Sequence, residues 1–307
     1  MNFYFAPLEG ITDSIFRQLH HKYFPGIHRY YTPFISPTVH RSLTAKEQRE
    51  LSCEQLRLFD LIPQLLTKNA DDFIWMAQQC ADLGYKEINL NLGCPSGTVT
   101  AKGKGSGLLL DPENLDRFLH EIFSRSPIPI SIKTRIGFHN SAEFPRLLEI
   151  FNKYPIAELI LHPRIRSAFY SGTVDMNAFK MAADSCTMPL CYNGDITQLE
   201  QIAQLENEYP QLQSVMIGRG LIADPGMFSP GGTAIPVLKD FYNELLDSYI
   251  EAFGSARNAM FRLKEHWQYL ITHFDNSEKL GKRLRKTTDI LEYRQITEEI
   301  FDTLILL

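Results

Sequence analysis

Cys94 stands in the run Asn89-Leu90-Asn91-Leu92-Gly93-Cys94-Pro95, at the end of a short apolar stretch. An unperturbed thiol has a pKa of about 8.5, so at neutral pH it is mostly protonated and can act as a general acid. Cysteines are also common as small buried packing residues. Lys133 ends a run of apolar and β-branched residues, where a charge without function would be costly to bury. A cation there suits an electron-rich ligand. Other short apolar runs also end in polar residues: Pro7-Leu8-Glu9, Gln64, Asn91, Lys133-Thr134-Arg135, His162-Pro163-Arg164, Asn193-Gly194-Asp195 and Gly218-Arg219-Gly220. Glycines at the last two places let backbone N–H groups approach a phosphate. Each residue has a plainer reading: Gln64 capping a strand end, His162 as a hydrogen-bonded core histidine, Asn193-Gly194 as a turn.

What must position these residues is a set of eight apolar runs: Phe3-Pro7, Arg29-Ile35, Leu61-Leu66, Glu87-Leu92, Ile128-Ile136, Glu158-His162, Leu190-Asn193 and Val215-Gly218. Amphipathic segments lie between them. Asp71-Leu83 has Phe73, Met76, Ala77, Cys80 and Leu83 at helical spacing, and Asp111-Pro112 opens another helix towards Phe123. Eight strand-helix units in about 230 residues predict an α/β fold, a TIM (β/α)8 barrel over 1–230, with its active site at the C-terminal ends of the strands. Ser229-Pro230-Gly231-Gly232 reads as a connection, and 234–307 as a small all-α helical bundle with helices over Pro236-Phe253, Ser255-Phe274 and Tyr293-Leu306.

The net charge of −5 argues weakly against a nucleic-acid partner. Its distribution argues the other way: Lys279, Lys282, Arg283, Arg285 and Lys286 fall close together, preceded by Arg257, Arg262, Lys264 and His266. A solvated helix face is the plainer reading of such a cluster. The five cysteines form no Cys-x-x-Cys pair, so neither a disulfide framework nor a metal site is expected. With no leader pattern and no apolar run of membrane-spanning length, a cytoplasmic protein off the membrane is expected, as a monomer.

The runs Ala6-Pro7-Leu8-Glu9-Gly10-Ile11-Thr12-Asp13, Asn89 to Pro95, Ile132-Lys133-Thr134-Arg135-Ile136-Gly137, Tyr192-Asn193-Gly194-Asp195-Ile196 and Met216-Ile217-Gly218-Arg219-Gly220, in this order and spacing, resemble the tRNA-dihydrouridine synthases over nearly the whole chain. The resemblance implies an FMN-binding barrel and a helical domain that helps hold tRNA. It implies flavin contacts from Pro7, Leu8, Glu9, Gln64, Lys133, His162, Asn193, Gly194, Asp195, Gly218 and Arg219, with positive charge from Lys133 stabilising the reduced flavin. Cys94 would give the proton to uracil, Asn91 would face the base, and Arg135, Arg164, Arg166, Lys282, Arg283, Arg285 and Lys286 would hold the RNA. NADPH or NADH would be the reductant, binding transiently because no Gly-x-Gly-x-x-Gly unit is visible. The segment Arg262 to Leu270 resembles, less specifically, the bacterial subgroup acting on D-loop position sixteen. Two departures bear on loop shape and tRNA contact: Gly97 stands where many members carry a basic residue, with Lys102 and Lys104 later, and His162-Pro163-Arg164 replaces His-Gly-Arg. The alternative is a flavin barrel acting on a free small molecule, as in dihydroorotate dehydrogenases, which has no evident need for the helical domain.

Overall fold

A computed structural model describes residues 1–38 and 40–307. The chain divides into two compact units, one of Met1–Pro7, His28–Asp195 and Glu200–Ile217, the other of Leu8–Ile27, Ile196–Leu199 and Gly218–Leu307. In chain order the elements are β1 (Asn2–Phe5), α1 (Ser14–Tyr23), β2 (Arg29–Tyr31), α2 (Ala45–Glu50), β3 (Asp60–Ile62), β4 (Gln64–Leu65), α3 (Ala70–Asp82), β5 (Ile88–Leu92) and α4 (Gly97–Thr100). There follow α5 (Pro112–Arg125), β6 (Ile130–Arg135), α6 (Phe144–Phe151), β7 (Leu159–His162), α7 (Met176–Ser185), β8 (Leu190–Tyr192), α8 (Leu199–Glu208), β9 (Ser214–Ile217) and α9 (Arg219–Ala223). The chain ends with α10 (Ile235–Phe253), α11 (Ala256–Leu270), α12 (Glu278–Lys286) and α13 (Ile290–Thr303).

All strands lie in the first unit and pair in parallel, in the order β3-β2-β1-β9-β8-β7-β6-β5-β4. The two outer members, β3 and β4, are halves of one strand interrupted at Pro63, which has no N–H for the ladder. The ring therefore closes into the expected TIM barrel, and each of the eight apolar runs supplies one strand. Thr32 repairs the interruption: its N–H donates to the Ile62 carbonyl at 3.0 Å and its hydroxyl accepts from the Gln64 N–H at 2.9 Å.

The barrel interior packs Tyr4, Ala6, Tyr31, Ile62, Ile160, Cys191 and Met216. Charges close the end where the strands begin. Arg29 reaches Asp60 at 2.7 Å and Glu87 at 3.3 Å, and Glu158 accepts from Ser214 at 2.5 Å and from Tyr4 at 3.4 Å. Burial pushes the carboxyls of Glu87 and Glu158 above their ordinary range. The outer helices begin where side-chain caps allow: Asn69 accepts from the Asp72 N–H at 2.9 Å to start α3, and Asp111 accepts from Asn114 at 3.0 Å to start α5 at Pro112. Helix α5 buries Leu115, Phe118, Leu119 and Ile122 along one stripe, each worth roughly 1.5–3 kcal/mol.

In the second unit, α10 buries Leu238, Phe241, Tyr242, Leu245, Leu246 and Tyr249, while α11 buries Met260, Leu263, Trp267 and Leu270. Trp267 Nε1 donates to the Tyr293 hydroxyl at 2.8 Å, tying α11 to α13. Helix α12 is not among the helices expected from periodicity, because only Leu280, Gly281 and Leu284 interrupt its charged residues. Those three are its buried residues. Among the described residues no helix is long and apolar enough to cross a membrane.

Candidate active site

Strands β5 and β6 carry polar residues two apart, which places them on one face. The register pairs Asn89 with Ser131 and Asn91 with Lys133, while Gln64 on β4 pairs with Asn89. Their side chains form a directed chain. The Asn91 carbonyl oxygen accepts from the N–H groups of Gly93 at 3.0 Å and Cys94 at 2.9 Å. Its amide nitrogen must then donate, and it does so to Gln64 Oε1 at 2.7 Å. Gln64 in turn donates to Asn89 Oδ1 at 2.9 Å, and Asn89 donates to Ser131 Oγ at 2.9 Å. Gln64 and Asn89 are fully buried, so these bonds are made without competition from water. The loop that presents Cys94 is thus fixed from inside the barrel. Ser106 fastens it from the other side, donating to the Cys94 carbonyl through its hydroxyl at 2.8 Å and its N–H at 3.2 Å. Gly105 has a φ of +57°, and a Cβ there would lie 3.0 Å from Cys94 Cβ, so a side chain at this position would be strained and crowd the Cys94 loop.

Lys133 is half-buried beside this chain and makes no hydrogen bond or ion pair among the described residues. Burial first, and then the Arg135 cation, push its pKa down to about 8, while Cys191 and Cys94 act the other way. An ammonium held in a barrel without an anion to neutralise it fits an electron-rich ligand.

Arg135, expected among the RNA-facing residues, is buried and donates to three carbonyls: Gly93 at 2.9 Å, Ile165 at 3.0 Å and Phe169 at 2.7 Å. Its cation holds two loops together. Arg164 is also buried; it bonds the carboxylate of Asp195 and the carbonyl of Gly172, and its Nη1 lies 3.2 Å from His162 Nε2. A guanidinium only donates, so His162 Nε2 accepts and the ring carries its proton on Nδ1. Among the described residues the buried Nε of Arg164 has no hydrogen-bond partner. Arg166 is half-buried and reaches Thr100 Oγ1 at 3.3 Å. Asn193 donates to the Met216 carbonyl at 2.7 Å, and a Cβ at Gly194 would stand 2.8 Å from the Tyr192 hydroxyl oxygen. The structure therefore brings Gln64, Asn91, Cys94, Lys133, His162, Arg164, Asn193, Gly194 and Asp195 together at the C-terminal ends of strands in the first unit, which also contains Pro7 just beyond β1.

Leu8, Glu9, Gly218 and Arg219 belong to the second unit. The Leu8 N–H donates to Thr12 Oγ1 at 2.8 Å, and Gly218 caps the start of α9. In the same unit Lys282, Arg283, Arg285 and Lys286 are exposed on α12; Arg283 pairs with Glu299 at 2.7 Å, whereas the other three make no ion pair among the described residues. The basic stretch is narrower than the sequence suggested. His266 is fully buried, its pKa lowered to about 3 by burial, so it is neutral; Lys264 donates to the Thr287 carbonyl at 2.8 Å and Arg262 to that of Gly10.

Asn89, Ser131 and Ser106 were not singled out from sequence. Asn89 did carry a signal, since asparagine is depleted in strands and two of them alternate in β5. Nothing local points to Ser106. Among the described residues no cluster of three or more His, Cys, Asp or Glu side chains could hold a metal ion.

One rim of a closed parallel barrel carries a loop-borne cysteine, a lysine without a counter-ion among the described residues and a buried amide chain. Solved structures of that fold are similar: a histamine dehydrogenase from Rhizobium sp. 4-9 aligns with a TM-score of 0.56 at 13% identity, covering 74% of this chain and 45% of that one. Morphinone reductase in complex with tetrahydroNAD aligns at 0.51 with 11% identity, covering 74% and 85%. A family model described as "Dihydrouridine synthase (Dus)" matches residues 4–303, and the chain belongs to that family of oxidoreductases. Among its relatives, the probable tRNA-dihydrouridine synthase 1 of a Synechocystis strain is 30% identical over 97% of this chain and 86% of its own length. tRNA-dihydrouridine synthase B of Pasteurella multocida is 28% identical over 73% and 67%.

Proposed function

We propose that this protein reduces uridine in the D-loop of tRNA to 5,6-dihydrouridine, with FMN as cofactor and NADPH or NADH as reductant. The observation that carries the reading is the pairing, one register position apart from the locked Cys94 loop, of Asn91 with a Lys133 that has no counter-ion among the described residues. That cation, with the Nε of Arg164 that has no partner among the described residues, fits a group that becomes anionic when reduced and bears a phosphate. Gln64, Lys133, His162, Asn193, Gly194 and Asp195, with Pro7, Leu8, Glu9, Gly218 and Arg219, would hold it. When bound, a reduced flavin would supply the hydride that reduction of the uracil requires.

The chain's own residues do the rest. The Cys94 thiol delivers a proton to C5, quenching the enolate-like charge left on the ring. Asn91 holds the N–H groups of Gly93 and Cys94, so the thiol stays aimed. The base must leave its stack, which costs a few kcal/mol and least in an irregular region such as a D-loop. Arg166 and the exposed cations of α12, Lys282, Arg285 and Lys286, supply phosphate contacts, with Arg283 shared with Glu299. The proposed division of labour is a catalytic barrel over 1–230 and a tRNA-holding helical domain over 234–307, bounds that differ from the two compact units, whose second takes Leu8–Ile27, Ile196–Leu199 and Gly218–Leu307. Target position sixteen is the proposed site.

The test is position-resolved mapping of dihydrouridine in tRNA from strains with and without the gene, complemented by Cys94→Ala. The gene should restore one D-loop dihydrouridine. The alanine protein should purify yellow yet restore almost none. An unchanged profile on deletion, in a strain with no overlapping enzyme, refutes the reading.

A further inference from the structure

The loop after β7 presents two large aromatic side chains side by side to solvent: Phe169 is 44% exposed and Tyr170 49%. Phe169 has a φ of +49°, a backbone conformation unfavourable for a bulky residue, and it follows the turn Arg166–Ala168. Both rings lie over cations. The Arg166 guanidinium is 5.2 Å from the Phe169 ring centre and equally 5.2 Å from that of Phe138, and the Arg135 guanidinium is 5.4 Å from the Tyr170 ring. Tyr170 also stacks on His162, with ring centres 6.2 Å apart and planes at 27°.

The same two arginines bind the aromatic loop to the Cys94 loop. Arg135 donates to the carbonyls of both Gly93 and Phe169, and Arg166 reaches Thr100 on α4. Whatever rests on the aromatic rings therefore sits next to whatever Cys94 protonates. Half-exposed aromatic rings beside guanidinium groups are what unpaired nucleotides stack on, and the cation complements the phosphate that accompanies each base.

We propose that Phe169 and Tyr170 form a stacking platform for an unpaired base next to the target uridine, holding the RNA strand open while the uracil is reduced. The proposal rests on the RNA reading above. Phe169 is the residue to test, because Tyr170 also touches His162. With flavin-loaded enzyme and an unmodified tRNA transcript, dihydrouridine formation and filter-binding affinity are measured at several salt concentrations. Phe169→Ala should weaken binding and raise KM by about tenfold. Its kcat should stay within about twofold, and its salt slope should be unchanged, since no phosphate contact is removed. Phe169→Trp should restore the wild-type KM, whereas Phe169→Leu, which keeps apolar bulk without a π-face, should behave like alanine. Flavin content should be equal throughout. Wild-type affinity in Phe169→Ala, or rescue by leucine as good as by tryptophan, overturns the platform. A wild-type enzyme that neither binds nor reduces the transcript refutes the RNA reading itself, a separate failure.

Discussion

Lys133 should make the flavin-free protein less stable than it need be. Its pKa falls from 10.5 to about 8 in the fold, chiefly through burial. At ~1.36 kcal/mol per tenfold change in proton affinity, that gap is about 3 kcal/mol, and screening at a half-buried site reduces it to roughly 1–2 kcal/mol. Lys133→Met keeps the stem and removes the charge, so the flavin-free variant should be more stable than wild type by that amount at pH 7. The pH dependence follows from linkage. Between about 8 and 10.5 the unfolded chain binds the proton that the folded chain has released, so wild-type stability rises with pH across this window. The advantage of methionine should be full below pH 8 and fade towards pH 10.5. Urea unfolding of both proteins at pH 7 and at intervals up to pH 10.5 measures it. Added FMN should reverse the order, because a ligand that binds the folded state through Lys133 stabilises wild type more. A flavin-free methionine variant that is less stable at pH 7, or whose advantage does not shrink with pH, would refute the account of Lys133 as a cation kept for its ligand.

Asn91→Ala leaves the N–H groups of Gly93 and Cys94 and the carbonyl of Gln64 without their partner; urea unfolding should show a loss of about 2–4 kcal/mol, and iodoacetamide should alkylate Cys94 faster as its loop loosens. On α12, replacing Lys282, Arg285 and Lys286 together by Ala should leave flavin binding intact and make the slope of log tRNA affinity against log salt shallower by about two to three, read by filter binding. An unchanged slope would place the RNA elsewhere.

The barrel was legible because each of its strands is a short apolar run of its own, readable without knowing its neighbours, and because the caps Asn69 and Asp111 act within one turn of helix. Helix α12 was not, since its apolar stripe is only two leucines one turn apart and their burial depends on distant partners. The charged residues divide in the same way. Arg135 and Arg166 have one side-chain chemistry, yet the first is enclosed by three carbonyls and the second lies between two aromatic rings. His266 reads as part of a basic cluster and is a neutral core residue.

Residue types and their order determined the fold class, the family, and the identity of Cys94, Lys133 and Gln64 as residues of interest, because those signals are local and covalent. Only the tertiary structure decided which polar groups meet: the chain from Ser131 through Asn89, Gln64 and Asn91 to the Cys94 loop, the absence of a counter-ion for Lys133 among the described residues, and the exposure of Phe169 and Tyr170. Hydrogen bonds and burial depend on strand register and loop closure between segments 25 or more residues apart, which no spacing within one motif can specify.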